Sequence, residues 1–310
     1  MNKTLNTKGF AIFIMIFILF ILKTNGQDRI TSNPDSATII SSDIDHFWEA
    51  YDSLASQKST VDSLKIIRTI FVEQASEGLR QYMQAANCYE GQYLEAIRKR
   101  KTDYQAVREK TQMVGRERQR LLRYLNRFKQ FYPSLRIPVI CYTIGIFQVG
   151  GTQFVNTLYI GCETDIMTDV DIPVQTVHEL AHFQQKDQDP TNNLDLAMIE
   201  GGAEFVSYQV TGKRTLTETW TYGLNNELSL WNDFEAKMDS AINMQWFMNI
   251  ADTRNRKPGS LGYFVGFRIC ESYLENHENK KSALKDLVEM ENPKRIFLAS
   301  LYDSNKTNSH

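Results

Sequence analysis

The stretch Val174-Gln175-Thr176-Val177-His178-Glu179-Leu180-Ala181-His182-Phe183-Gln184-Gln185 decides how the rest of the chain is read. On a helix, residues four apart share a face, so His178 and His182 can reach one ion. Neutral imidazole suits Zn²⁺, and Glu179, one step round the helix, can face a water bound to that ion. Pro173 fits the first turn of such a helix, with Asp169 or Asp171 just before it and an end near Asp187.

Downstream lies Met198-Ile199-Glu200-Gly201-Gly202-Ala203-Glu204-Phe205-Val206. The interval from His182 to Glu200 accommodates a helix end, a loop and the start of a second helix, which Gly212 would stop. Glu200 is the candidate third ligand. Glu204, four residues on, shares its helix face and can accept the free N–H of a ligand histidine. The glycine pair costs about 1 kcal/mol per residue in a helix interior, which close approach to another helix or to a ligand would explain. Of the other histidines, His46, His277 and His310, none has ligand spacing.

His-Glu-x-x-His followed by Glu-Gly-x-Ala-Glu resembles the gluzincin metallopeptidases, whose third ligand is a glutamate on a second helix. More narrowly, residues 43 to 290 resemble a bacterial family of exported, predicted zinc-dependent proteases. The matching pieces are Asp45-His46-Phe47-Trp48-Glu49-Ala50-Tyr51-Asp52, Gly150-Gly151-Thr152, Ile160-Gly161-Cys162-Glu163, the His178–His182 motif with Phe183-Gln184-Gln185, Glu200–Phe205 and Leu261-Gly262-Tyr263-Phe264-Val265-Gly266. The resemblance implies one Zn²⁺ per chain held by His178, His182 and Glu200. It implies Glu179 as general base and Glu204 orienting a ligand. Tyr263 would be the oxyanion donor, with Arg268 as alternative, and the substrate a peptide or protein. A competing reading is a non-catalytic envelope protein that binds or assembles partners and keeps the zinc site. A third is hydrolysis of a non-peptide amide.

The amino terminus reads as a secretion signal. Lys3 and Lys8 precede an uncharged apolar run from Phe10 to Leu22, and Thr24-Asn25-Gly26 offers small residues for cleavage before Gln27. A spanning helix needs about 20 apolar residues, so no stable membrane span is expected after cleavage. The location expected is periplasmic, cell-envelope or extracellular. Removing the signal's three basic residues takes the net charge from −2 to −5.

The fold expected is α+β and mostly α. Residues 27–42 read as a linker, 43–302 as one domain and 303–310 as a loose tail. Within the domain, 43–132 is a helical lobe and 133–302 a zinc-binding lobe with a small hairpin or sheet, an active-site helix pair and C-terminal helices. Residues 90–129 carry 12 Lys/Arg against 5 Asp/Glu, interspersed as on a solvated helix face, and no nucleic acid is expected. Val139–Phe147 and Phe154–Gly161 are β-branched and aromatic, and read as a hairpin turning at Gly150-Gly151. Phe154–Ile160 would be the edge strand for an extended peptide. In that register Cys141 faces Ile160 and lies diagonal to Cys162, so Cys88, Cys141, Cys162 and Cys270 are expected as free thiols. Thr215 onward reads as aromatic helices, broken by Pro258-Gly259 before a helix from Leu261 to Asn276 and a last one near 282–290.

Overall fold

Ile172–Gln184 and Asn193–Thr211 form the two helices that the motif requires, and both are buried nearly all round. That burial explains why neither shows a clean polar face: each is packed on several sides. The structure, a computed structural model, describes residues 30–57, 59–148, 150–154, 156–163, 171–186, 189–247 and 257–302. The signal segment 1–26, Asp169, Asp187 and the tail 303–310 lie outside the described residues.

In chain order the strands are β1 (Ile39–Ile40), β2 (Val139–Thr143), β3 (Gly151–Phe154) and β4 (Thr157–Gly161). The helices of the first half are α1 (Ser42–Ser53), α2 (Thr60–Ile66), α3 (Glu77–Ala86), α4 (Glu90–Lys99), α5 (Lys101–Gln112) and α6 (Arg118–Phe131). Those of the second half are α7 (Ile172–Gln184), α8 (Asn193–Thr211), α9 (Thr217–Asn225), α10 (Glu227–Glu235), α11 (Leu261–Asn276), α12 (Lys280–Glu289) and α13 (Pro293–Ser300). The α+β, mostly α reading holds. The buried apolar side chains of both halves join one cluster.

The sheet differs from the expected hairpin. Its order is β1-β2-β4-β3, with β1, β2 and β4 parallel and only β3 antiparallel. Gly150-Gly151 is not the turn: Gly151 opens β3, and the chain reverses before Thr157. Cys141 lies beside Tyr159 on the parallel neighbour, and all four cysteines are free and buried. The edge strands are therefore β1 and β3, while β4, which holds most of the stretch expected at the edge, lies inside the sheet. Within the span read as a linker, residues 30–42 make regular contacts. Thr31 bridges Ile137, a 3₁₀ turn covers Pro34–Ser36, and β1 pairs with β2.

α6 shows why 90–129 is basic. Leu121, Tyr124, Leu125 and Phe128 recur at helical spacing and are buried, while Arg123 and Arg127 are exposed. α8 is capped by Asn192, whose side chain accepts from the Asp195 N–H, and ends at Gly212 with φ +70°. Its middle lies against α11 at the closest helix crossing. A side chain at Gly266 would overlap the Ala197 carbonyl, and one at Gly201 would overlap the backbone of Gly266 and Phe267. Gly202 is covered by the Met290 methyl. The glycines are thus required by close approach to a neighbouring helix. Gly266→Ala is expected to destabilise by at least the 1–3 kcal/mol or so typical of overpacking, because the obstacle is backbone. Urea denaturation measures this, and unchanged stability would refute the crossing.

Glu163 follows β4 into the interior with no solvent exposure. Its Oε1 accepts the Phe147 N–H at 3.1 Å, while Oε2 has no hydrogen-bond partner. Burial is the main effect on its acidity and pushes the carboxyl up to about 7 from an ordinary 4.5. The folded chain therefore holds a proton there that the unfolded chain releases. Stability is expected to fall as pH rises from about 4.5 to about 7, by up to about 1.4 kcal/mol per pH unit. Denaturation at pH 5 and pH 8 should show a larger loss in wild type than in Glu163→Gln, and equal losses would refute the buried proton.

Candidate metal centre

α7 places His178 and His182 on the side that faces α8, which brings Glu200 across from them. The Nε2 atoms of the two histidines are 3.1 Å apart. Glu200 Oε2 lies 3.3 Å from His182 Nε2 and 3.7 Å from His178 Nε2. Among the described residues these three side chains form a group able to hold a metal ion, each offering an atom within 4.8 Å of the others.

The partners on the far side of each ring set the chemistry. His178 Nδ1 is 3.2 Å from Glu204 Oε2, and His182 Nδ1 is 2.9 Å from Gln185 Oε1. Both partners are acceptors, so both Nδ1 atoms carry the proton and donate. In the neutral rings the Nε2 lone pairs then point at one another and at a carboxylate. Three acceptors converge, and only positive charge satisfies them. A proton serves in part: burial lowers the pKa of His178, but Glu200 and Glu204 outweigh it and raise it to about 10. His182 is raised too, by Glu200 against its burial. Glu200 is itself held low by the two imidazoles, despite burial. A divalent ion taking two nitrogens and an oxygen fits the same point, and this donor set suits zinc.

The second rank was only partly legible beforehand. Glu204 stands behind His178, its Oε2 3.2 Å from Nδ1. Gln185 was quoted only as part of a motif, yet it accepts from His182 and donates from Nε2 to the Ile199 carbonyl at 2.8 Å. Thr215 donates its N–H to Glu204 Oε1 at 3.0 Å, and its hydroxyl donates to the same oxygen. Gln185 sits at the i+3 position from His182, a spacing that could have pointed to it, whereas Thr215 reaches Glu204 across a chain reversal that no spacing rule signals. Asp171 precedes α7 but does not cap it; its carboxylate binds Arg120 and Lys213, each at 2.6 Å.

Tyr263 also reaches the centre. Its ring stacks on that of His178 at 6.2 Å, and burial together with the nearby Glu200 charge pushes its phenol well above the usual range. Arg268 does not take part; it is committed to Glu227 at 2.7 Å and to Glu271. His46 lies in α1 and His277 caps the end of α11. Glu179 is engaged by its neighbours. Its Oε1 accepts from Gln175 Nε2 at 2.6 Å, and its carboxylate lies where a side chain on Gly151 would be.

Residues 212–304 match the family model described as gliding motility protein GldB. No curated protein and no solved structure matches the chain. The matched span begins just after α8 and takes in α9 to α13. This finding corrects the gluzincin resemblance and the expectation of a zinc peptidase or hydrolase with Glu179 as base and Tyr263 as oxyanion donor: the family found is one of motility, not of proteolysis. The physical reason is that two histidines and a glutamate on packed helices specify a cation site, whatever that site is used for. The purified protein is expected to hold about one zinc per molecule, and His182→Ala to lose it. Full zinc content in that variant would show that the ligand set is wrong.

Proposed function

We propose that the chain is a non-catalytic component of the cell envelope that binds or assembles protein partners, as in a gliding apparatus, with zinc at His178, His182 and Glu200 serving its structure. The observation that carries this reading is the similarity of residues 212–304 to gliding motility protein GldB. Two structural features support it. Glu179 is tied to Gln175 and pressed against β3, an arrangement suited to packing. Among the described residues no helix is long and apolar enough to cross a membrane, so the folded part meets its partners through its surface.

One such surface is the outer edge of β3, which no strand covers among the described residues. Gly161 N–H donates to the Gly150 carbonyl at 3.0 Å, so Gly150 and Gly161 form a hydrogen-bonded pair. By alternation the main-chain groups of Gly151 and Gln153 turn outward. An extended segment of a partner can add there as a further strand.

The metal, if bound, supplies a fixed positive charge at the meeting point of the two helices. His178 and Glu200 then join α7 to α8 through one ion, and removing the ion leaves the carboxylate facing the imidazoles. Glu179→Gln keeps the side-chain shape and is expected to retain zinc and to restore cell spreading fully in a strain lacking the gene. A folded, zinc-loaded Glu179→Gln protein that fails to restore spreading would return the case for chemistry at this carboxylate.

A further inference from the structure

The reversal after α8 does more than end a helix. Gly212 takes φ +70°, and the Thr211 hydroxyl accepts the Lys213 N–H at 3.1 Å, which fixes the turn. The Arg214 guanidinium then lies 3.9 Å from the Trp220 ring centroid and 4.9 Å from that of Tyr208, pinning the loop to α8 and α9. The outcome is that Thr215 is buried beside Glu204, eleven positions back along the chain.

Glu204 is only 2% exposed, and His178 and Thr215 both hydrogen-bond its carboxylate. Oε2 meets His178 Nδ1, and Oε1 meets both donors of Thr215. A carboxylate only accepts, so the direction of the Thr215 hydroxyl is forced and does not depend on a choice of tautomer. With Oε1 held from two sides, the carboxylate cannot rotate away from His178. The ring in turn keeps Nε2 toward His182 and Glu200.

We infer that Thr215 is a positioning residue of the metal centre, and that through it cation binding at His178, His182 and Glu200 stiffens the chain where the GldB-like span begins. This rests on the zinc reading above. The coupling is reciprocal: whatever orders the 212–216 loop tightens the metal site, and an ion in the site orders the loop. The span similar to a motility protein is thereby fastened to the metal centre at its first turn.

The test compares wild type, Thr215→Val and Thr215→Ser by zinc competition against a fluorescent chelator. Thr215→Val keeps the shape and the N–H but removes the hydroxyl donor, and should weaken zinc binding about 10-fold or more, the scale of orienting partners at metal sites. Thr215→Ser restores the donor and should bind within about twofold of wild type, in line with the retained hydrogen bond. Equal affinity of Thr215→Val and wild type overturns the inference while leaving the zinc reading intact. So does a Thr215→Ser protein as weak as Thr215→Val, which would mean a packing role. Wild type that binds no zinc overturns both. If Thr215→Val does not fold, hydrogen exchange of wild type decides: added zinc should slow exchange over residues 212–220, and unchanged exchange overturns the inference.

Discussion

The contact of α8 with α11 is the constraint on which the second half of the molecule depends. Gly201 and Gly266 bring the two backbones together with no space for a methyl group between them. That approach sets how deeply α8 sits, hence where Glu200 and Glu204 stand relative to the α7 histidines. It also brings Tyr263, one turn before Gly266, onto the ring of His178. The glycines weaken α8 and α11 as isolated helices, but burial of Phe205, Phe264 and Phe267 around the crossing offsets this, at about 1.5–3 kcal/mol per side chain.

The site is a set of side chains each held by the next. His178 is oriented by Glu204 and Glu204 by Thr215; His182 is oriented by Gln185 and Gln185 by the Ile199 carbonyl. Both paths end on α8 or on the loop leaving it, so the ring orientations report how α7 and α8 are docked. Such a centre gives rigidity to the junction of α7 and α8. Nothing in the donor set requires a reaction.

Much of this was legible in local chemistry. The four-residue spacing of the histidines, Pro173 at a helix start, Gly212 at a helix end and Pro258-Gly259 before Leu261 are signals that neighbours in sequence settle among themselves. The helices containing them lie close to where they were expected, although α7 ends at Gln184. The sheet was less legible. Its parallel pairs join strands distant in sequence, and the aromatic runs either side of Gly150-Gly151 look the same in a hairpin or apart. Gly151 was read as a turn residue, whereas its role is to make room for Glu179, a contact invisible without α7 in place. β1 is two residues long and carries no period at all. α13 was missed because its apolar positions occupy barely two turns. The functional reading went astray for a related reason: the metal motif is local and vivid, whereas the similarity to a motility protein lies in helices whose aromatic spacing signals only a core.

β1 has one further consequence. Ile39 and Ile40 pair with Ile140 and Cys141, about a hundred residues later, and the described elements between, up to α6, are helices. Closing so long a loop for two residues of ladder returns little against the entropy lost. The pairing is therefore sustained by the packing of α1, which follows β1 directly, against β2 rather than by its own ladder. As the ribosome delivers the chain, Ile39 emerges well before its partner strand exists.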